Sequence, residues 1–244
     1  MRVWDFTVVP PTFDRRLYLW MHRIGCLGRE EREFFTGIIQ PGMGVADVGA
    51  NLGLYSLLFS RLVGPGGRVY SFEPDELLAA ALRNNLDANS VEQVEVFACA
   101  VGAAAGRAVL RRHAVNSGDN RLGTTEMPLH SGQADVPVCA LGDVLFERRV
   151  DFVKMDVQGW EGEALRGIGG LLDANPRLRI YFEFWPYGLS GAGTSVAGFA
   201  QIVRGLGLHV WRPATGRPWV PVNIEEVAQT MKPGAYTDLV AARA

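Results

Sequence analysis

Four carboxylates stand at or near the ends of short apolar runs. Asp47 lies in Val45-Ala46-Asp47-Val48, Glu73 follows Arg68-Val69-Tyr70-Ser71-Phe72, Asp156 follows Val150-Asp151-Phe152-Val153-Lys154-Met155, and Glu183 follows Leu178-Arg179-Ile180-Tyr181-Phe182. A carboxylate can accept two hydrogen bonds side by side, pair with an ammonium, or take up a proton. Asp47 also opens the loop Asp47-Val48-Gly49-Ala50-Asn51-Leu52-Gly53. Its glycines let the backbone turn tightly and let a ligand come close.

A strand, a glycine-rich turn and a helix also describe a dinucleotide site, which wants G-x-G-x-x-G. Counting from Gly49, the second glycine position is Asn51 and the third is Leu54, so that pattern fails twice. No Walker lysine is present either, which disfavours a nucleoside triphosphate. The loop offers carboxylates and no phosphate cradle. That suits S-adenosylmethionine, which has an ammonium and a sulfonium but no phosphate. Asp47 is then expected to serve the methionyl ammonium, directly or through water, and Glu73 the two ribose hydroxyls. Gly49, Asn51 and Gly53 shape the loop, and Pro74 and Ala100 complete the expected cofactor residues. Taken singly, Asp47 also reads as a turn residue tying down the glycines and Glu73 as a charge favourable to a helix dipole.

Transfer of a methyl group to a hydroxyl calls for a general base. Asp156, Glu161, Glu183 and His113 are candidates, with Asp156 best placed at its strand end. His113 has the most suitable ordinary pKa, although a lone loop histidine is more often plain surface. Glu161 also reads as an acid in the first turn of a helix. Asp156 and Glu183 together are a thin site for Mg²⁺. Asn116, Asn120 and Arg121 are candidates for binding sugar hydroxyls.

The elements that must hold these residues alternate between strand and helix from Gly44 onward. Strands are expected at 45–48, 68–72, 94–98, 150–155 and 178–182, with a small extra one at 109–112. Helices are expected at 54–62, from Pro74 as first helical residue to about Asn89, at 161–172 and at 195–206. The strands at 208–211 and 237–241 show no evident helix between them and are expected to pair antiparallel. Such alternation predicts an α/β doubly wound, mostly parallel seven-stranded sheet with helices on both faces. In such a sheet ligands bind outside the C-terminal strand ends, where the four acids stand. The polar, glycine-containing segment 113–133 is expected to be a long loop that orders over the acceptor. Residues 1–29, rich in aromatics, are expected to be a cover packed on the domain formed by residues 30–244. A place on a membrane surface is the alternative.

Pro41-Gly42-Met43, the Asp47–Gly53 loop, Phe72-Glu73-Pro74, and Lys154-Met155-Asp156-Val157-Gln158-Gly159-Trp160-Glu161 with Leu165-Arg166-Gly167 and the later Phe182-Glu183 together resemble the FkbM family of methyltransferases. The resemblance spans about residues 30 to 215. It implies a Rossmann-like fold and transfer of a methyl group from S-adenosylmethionine to a hydroxyl of a sugar, glycolipid or polyketide-type product. Gln158 stands where the family often has Glu, so no acid role is expected there. The residues also lean towards oxygen by themselves: the Asn/Asp-Pro-Pro-Tyr/Phe run of many amine and base methyltransferases is replaced by Asp156-Val157-Gln158-Gly159. Another acceptor (an amine, a carboxylate or a protein side chain) and a non-catalytic cofactor-binding partner remain as alternatives.

The totals set outer limits. The chain has 244 residues, 48% hydrophobic, with a formal charge of −2. No long basic run tracks a phosphate backbone, which disfavours a nucleic-acid partner. No stretch of about 18 apolar residues suggests a membrane span. Three cysteines, Cys26, Cys99 and Cys139, show no zinc spacing and no disulfide framework, which fits a reducing cytoplasm. Cys99 and Cys139 read as small core residues.

Overall fold

The computed structural model describes residues 1–10, 29–123, 130–216 and 218–243. Strands β1 (Arg2–Val3) and β2 (Phe6–Thr7) form a small hairpin, and helix α1 (Arg29–Ile38) follows. Next come β3 (Gly44–Val48), α2 (Leu54–Val63), β4 (Arg68–Phe72), α3 (Glu76–Asp87) and β5 (Val94–Phe97). A second group comprises β6 (Ala100–Val101), β7 (Gly106–His113), β8 (Arg121–Leu122) and β9 (His130–Cys139). Then follow α4 (Leu141–Val144), β10 (Phe152–Met155), α5 (Glu161–Arg166), α6 (Gly169–Ala174), β11 (Arg179–Phe184), α7 (Pro186–Gly191) and α8 (Val196–Gly205). The chain closes with β12 (His209–Arg212), β13 (Val220–Pro221), α9 (Ile224–Thr230) and β14 (Thr237–Ala242).

The main sheet has the order β13-β12-β14-β11-β10-β3-β4-β5. From β11 to β5 every pairing is parallel, while β14 runs antiparallel between β11 and β12. This is the expected doubly wound sheet, widened at one edge by the two-residue β13. Side chains alternate across it. Val45 joins a core with Phe35, Leu57 and Phe59 on one face. Ala46 and Val48 join Leu165, Ile168 and Phe182 on the other. The first residues add to the former core: Val3, Trp4, Phe6 and Val8 are buried there. They are pinned by Thr7 N donating to Asn89 Oδ1 at 2.8 Å and Val9 N to Asn85 Oδ1 at 2.8 Å. Among the described residues, no helix is long and apolar enough to cross a membrane.

Several boundaries differ from the sequence reading. Helix α3 begins at Glu76, not Pro74: Asp75 is its N-cap and accepts from Leu77 N at 3.0 Å. The expected 161–172 helix breaks into α5 and α6 around Gly167, where a side chain would strike the Gly102 carbonyl. A helix does lie between the last two long strands. Helix α9 is too short for a clear apolar period, burying only Ile224 and Val227, and Asn223 caps it by accepting from Glu225 N and Glu226 N. The segment expected as a loop has strand at both ends: His113 closes β7, Arg121–Leu122 form β8, and His130–Gln133 open β9, which pairs with β7 from Gly106↔Val138 to His113↔His130 in a second sheet of order β6-β9-β7-β8. Its turn-facing half is solvent-exposed and polar, which hid the alternation. Residues 124–129 of that segment lie outside the described residues, as do 11–28 of the N-terminal segment.

Candidate active site

A cleft opens at the C-terminal ends of β3, β4 and β10, with a wall from the second sheet. It holds about 940 Å³ of empty space, open solvent at its mouth included. Its floor is the loop after β3. Gly49 and Ala50 both donate their N–H to the Phe72 carbonyl at 3.0 Å. Gly49 has φ of +79°, and a Cβ there would lie 1.9 Å from the Asp156 carbonyl oxygen. The β3 loop and the end of β10 therefore touch backbone to backbone, and only glycine permits it.

Glu73 closes one end of the cleft. Its Oε2 accepts from Asn51 N at 2.8 Å and its Oε1 from Asp75 N at 2.9 Å. Each carboxylate oxygen keeps a free lone pair. Burial pushes its pKa up to about 7 against the lowering effect of these two N–H groups. Asn51, in a left-handed conformation with φ of 51°, donates Nδ2 to Ser117 Oγ at 3.2 Å, tying the floor to the connection between β7 and β8. Pro74, Ala100, Val101, Cys99, Leu110 and Leu122 form an apolar wall.

At the other end stands Asp156. Its carboxylate is about one-third exposed and accepts from Gln158 Nε2 at 2.8 Å and from Lys154 Nζ at 3.4 Å. Lys154 is a cleft residue that sequence reasoning passed over. It is buried in β10, yet its ammonium reaches the cleft, 3.5 Å from the Gly49 carbonyl, 3.9 Å from Asp47 Oδ1 and 5.0 Å from the Tyr55 ring centre. The signal was available: a lysine inside an otherwise apolar strand needs buried partners. Burial tends to lower its pKa, but the charges of Asp156, Asp47 and Glu31 outweigh this, and the net direction is upward.

The structure moves other expected site residues off the cleft wall. Asp47 is fully buried behind the loop, where its Oδ2 accepts from Ser56 Oγ at 2.6 Å while its Oδ1 has no hydrogen-bond partner. The strand period turns it towards α2, and its Oδ1 stands 3.9 Å from Nζ of the cleft residue Lys154. Gly53 caps α2 with φ of 87° and packs on Leu82 instead of lining the cleft. His113 ends β7 with its Nε2 3.9 Å from Asp119 Oδ2 and its Nδ1 accepting from Val115 N, and it does not line the cleft. Arg121 is held by Asp119 at 2.6 Å and lies over Trp185. Asn120 lines the cleft but is committed to His113 N and Asp75.

Glu183 lies one strand over from Asp156, since Met155 pairs with Phe182. Burial, then the charges of Asp156 and Glu161, push its pKa up to about 10. Asp238 faces it across the β11–β14 pairing, also raised to about 7 by burial. Glu161 is wholly buried, its Oε1 accepting from Val157 N at 3.0 Å. Tyr55 donates to Glu31, linking α1 to this acidic end. Among the described residues no group of three or more His, Cys, Asp or Glu side chains could hold a metal ion.

The donor set has three parts: an apolar slot, a carboxylate with two open acceptor sites, and a pole where a carbonyl, a carboxylate and an ammonium meet. It fits a ligand with a flat base, a vicinal diol and an aminoacyl end. Comparison with known proteins agrees. The model of the methyltransferase FkbM domain matches residues 47–203. The 31-O-demethyl-FK506 methyltransferase FkbM of Streptomyces tacrolimicus is 32% identical over 187 residues, covering 61% of this chain and 70% of that protein. The methyltransferase sdnD of Sordaria araneosa is 24% identical over 219 residues, 75% of this chain and 71% of its own length. The fold is that of a SAM-dependent O-methyltransferase from Thermotoga maritima, with a TM-score of 0.50 and 16% identity over 96% of this chain and 72% of that one. Since the family model covers well over half of its length, this chain belongs to the FkbM methyltransferase family and is an S-adenosylmethionine-dependent methyltransferase.

Proposed function

We propose that the enzyme O-methylates a hydroxyl of a small acceptor, a sugar, glycolipid or polyketide-type product, with Asp156 as general base. The observation that carries this reading is the position of Asp156: it adjoins the cofactor loop at Gly49 and faces the acidic end of the cleft. In this reading Glu73 receives the ribose hydroxyls, Pro74 and Ala100 flank the base, and Asn51 shapes the floor. Gly49 O borders the aminoacyl end, with Asp156 beside it on the acceptor side. The bound cofactor supplies an electrophilic methyl on a sulfonium. The acceptor oxygen forms its new bond to carbon as the carbon–sulfur bond breaks, and the hydroxyl proton passes to the Asp156 carboxylate. Lys154 and Gln158 hold that carboxylate in place. Alignment of the oxygen with the methyl supplies several kcal/mol of the rate enhancement.

The relative that methylates a demethyl-FK506 oxygen supports an oxygen acceptor. The acids around Asp156 favour a second reading, a cationic amine acceptor. A Mg²⁺ route would rest on Asp156 and Glu183. A screen of hydroxyl and amine acceptors with methyl-labelled cofactor separates these, followed by Asp156→Asn on the best acceptor. The expected result is cofactor affinity within a few-fold of wild type, turnover down about 10²-fold or more, and no effect of chelator. Chelator loss restored by Mg²⁺ would replace the base with a metal. Full turnover in Asp156→Asn would remove Asp156 from the chemistry.

A further inference from the structure

Two cysteines meet on the wall of the cleft. Cys99 follows β5 and lines the cleft, and Cys139 is the last residue of β9. They are 40 positions apart in the chain, yet their Sγ atoms lie 3.0 Å apart. The approach is fixed by backbone on both sides. Ala100 pairs with Val138 and Val101 with Cys139 in the parallel β6–β9 ladder, and Gly102 N donates to the Cys139 carbonyl at 2.8 Å. Both side chains are half-buried, so a small reagent can reach them.

We propose that Cys99 and Cys139 are an oxidisable dithiol that closes to a disulfide on the wall of the cofactor cleft, with a low-molecular-weight disulfide as oxidant. The two thiols are not equivalent. Either thiol can donate to the other, and Cys99 lines the cleft while Cys139 does not, so Cys99 is the one that an oxidant entering the cleft meets first. The Cys99 thiolate attacks the oxidant's disulfide, forming a mixed disulfide and releasing one thiol. Cys139 then attacks the Cys99 sulfur and releases the second. Two electrons pass from the cysteine pair to the oxidant, and the two cysteine protons end on the two released thiols. Closure to a bond of about 2.0 Å asks for a movement of about 1 Å, within reach of side-chain rotation. On the reading that S-adenosyl ligands fill this cleft, a bound ligand covers Cys99 and slows the first attack.

The test treats the full chain with oxidised glutathione, alkylates the remaining thiols, and maps them by peptide mass spectrometry. The expected result is a reducible Cys99–Cys139 cross-link with Cys26 alkylated. Alkylation of both Cys99 and Cys139, a stable glutathione on either, or a bond to Cys26 would overturn the proposal. In a second arm, saturating S-adenosylhomocysteine should slow cross-linking several-fold. An unchanged rate despite binding measured by calorimetry would overturn the coupling to the cleft. Absence of binding would count against the cofactor reading and leave the cross-link result standing.

Discussion

Burial gives the acids of this site their character. Glu73, Glu161 and Asp238 are each pushed up to about 7, chiefly by loss of solvent. The unfolded chain releases these protons near ordinary carboxylate values. From about pH 4 or 5 to about 7, the folded protein therefore holds protons that the unfolded chain has lost. For these three groups stability falls as pH rises through that window and levels off above it. The urea midpoint of the ligand-free protein should accordingly be lower at pH 8 than at pH 5.5, and Glu161→Gln should flatten part of the difference. A midpoint that rises over this interval would show these acids to be stabilised as anions. Lys154 is the counterweight. Lys154→Met strands Asp47 in the interior, and breaking a buried pair in this way costs about 3–5 kcal/mol, measurable by urea unfolding. A loss below about 1 kcal/mol would mean that the ammonium does not neutralise the floor. Glu73 and Asp156 could be placed from sequence because they end apolar runs. The true setting of Asp47 could not, because the face it takes follows from the strand period and from Ser56 and Lys154 behind it.

The loop after β3 and the turn after β10 work as a unit because glycines let them touch. Gly49 meets the Asp156 carbonyl, and Gly159, with φ of +98°, meets Gly188 at the start of α7. Gly49→Ala and Gly159→Ala should each lose about 1–3 kcal/mol from backbone strain alone, and Gly49→Ala should also lose S-adenosylhomocysteine binding. Gly37→Ala is the contrast: it lies in α1 with open space around it, and should be neutral or stabilising by up to about 1 kcal/mol. Equal unfolding midpoints for all three variants would contradict the close approach. At this scale the parallel strands and their helices were legible, because buried parallel strands read as short apolar runs between turns. Strand β9 was not: its first residues, His130 to Gln133, are exposed and polar, and only pairing with β7 makes them strand. Helix α9 escaped for want of length.

The main sheet carries a core on each face, and the cleft lies at the end where the parallel strands stop. The strand order puts β3 between β4 and β10. Glu73 at the end of β4 and Asp156 at the end of β10 therefore flank the loop of β3 from opposite sides. On the proposed reading, that spacing lets one cleft hold a diol at one pole and a reacting methyl at the other. The second sheet supplies the remaining wall through Leu110 and Leu122, and the connection between β7 and β8 is tied to the floor through Ser117 and Asn51. On the proposed reading this cleft takes the S-adenosyl group with Glu73 on its diol. The most direct measurement is calorimetric titration of S-adenosylhomocysteine into the wild type and Glu73→Ala, with NAD as a control ligand. Saturable binding to the wild type, none of NAD, and a loss of about 1.5–3 kcal/mol in Glu73→Ala, the range for a hydrogen bond to a charged group, are expected. Equal affinity in the wild type and Glu73→Ala would contradict that reading.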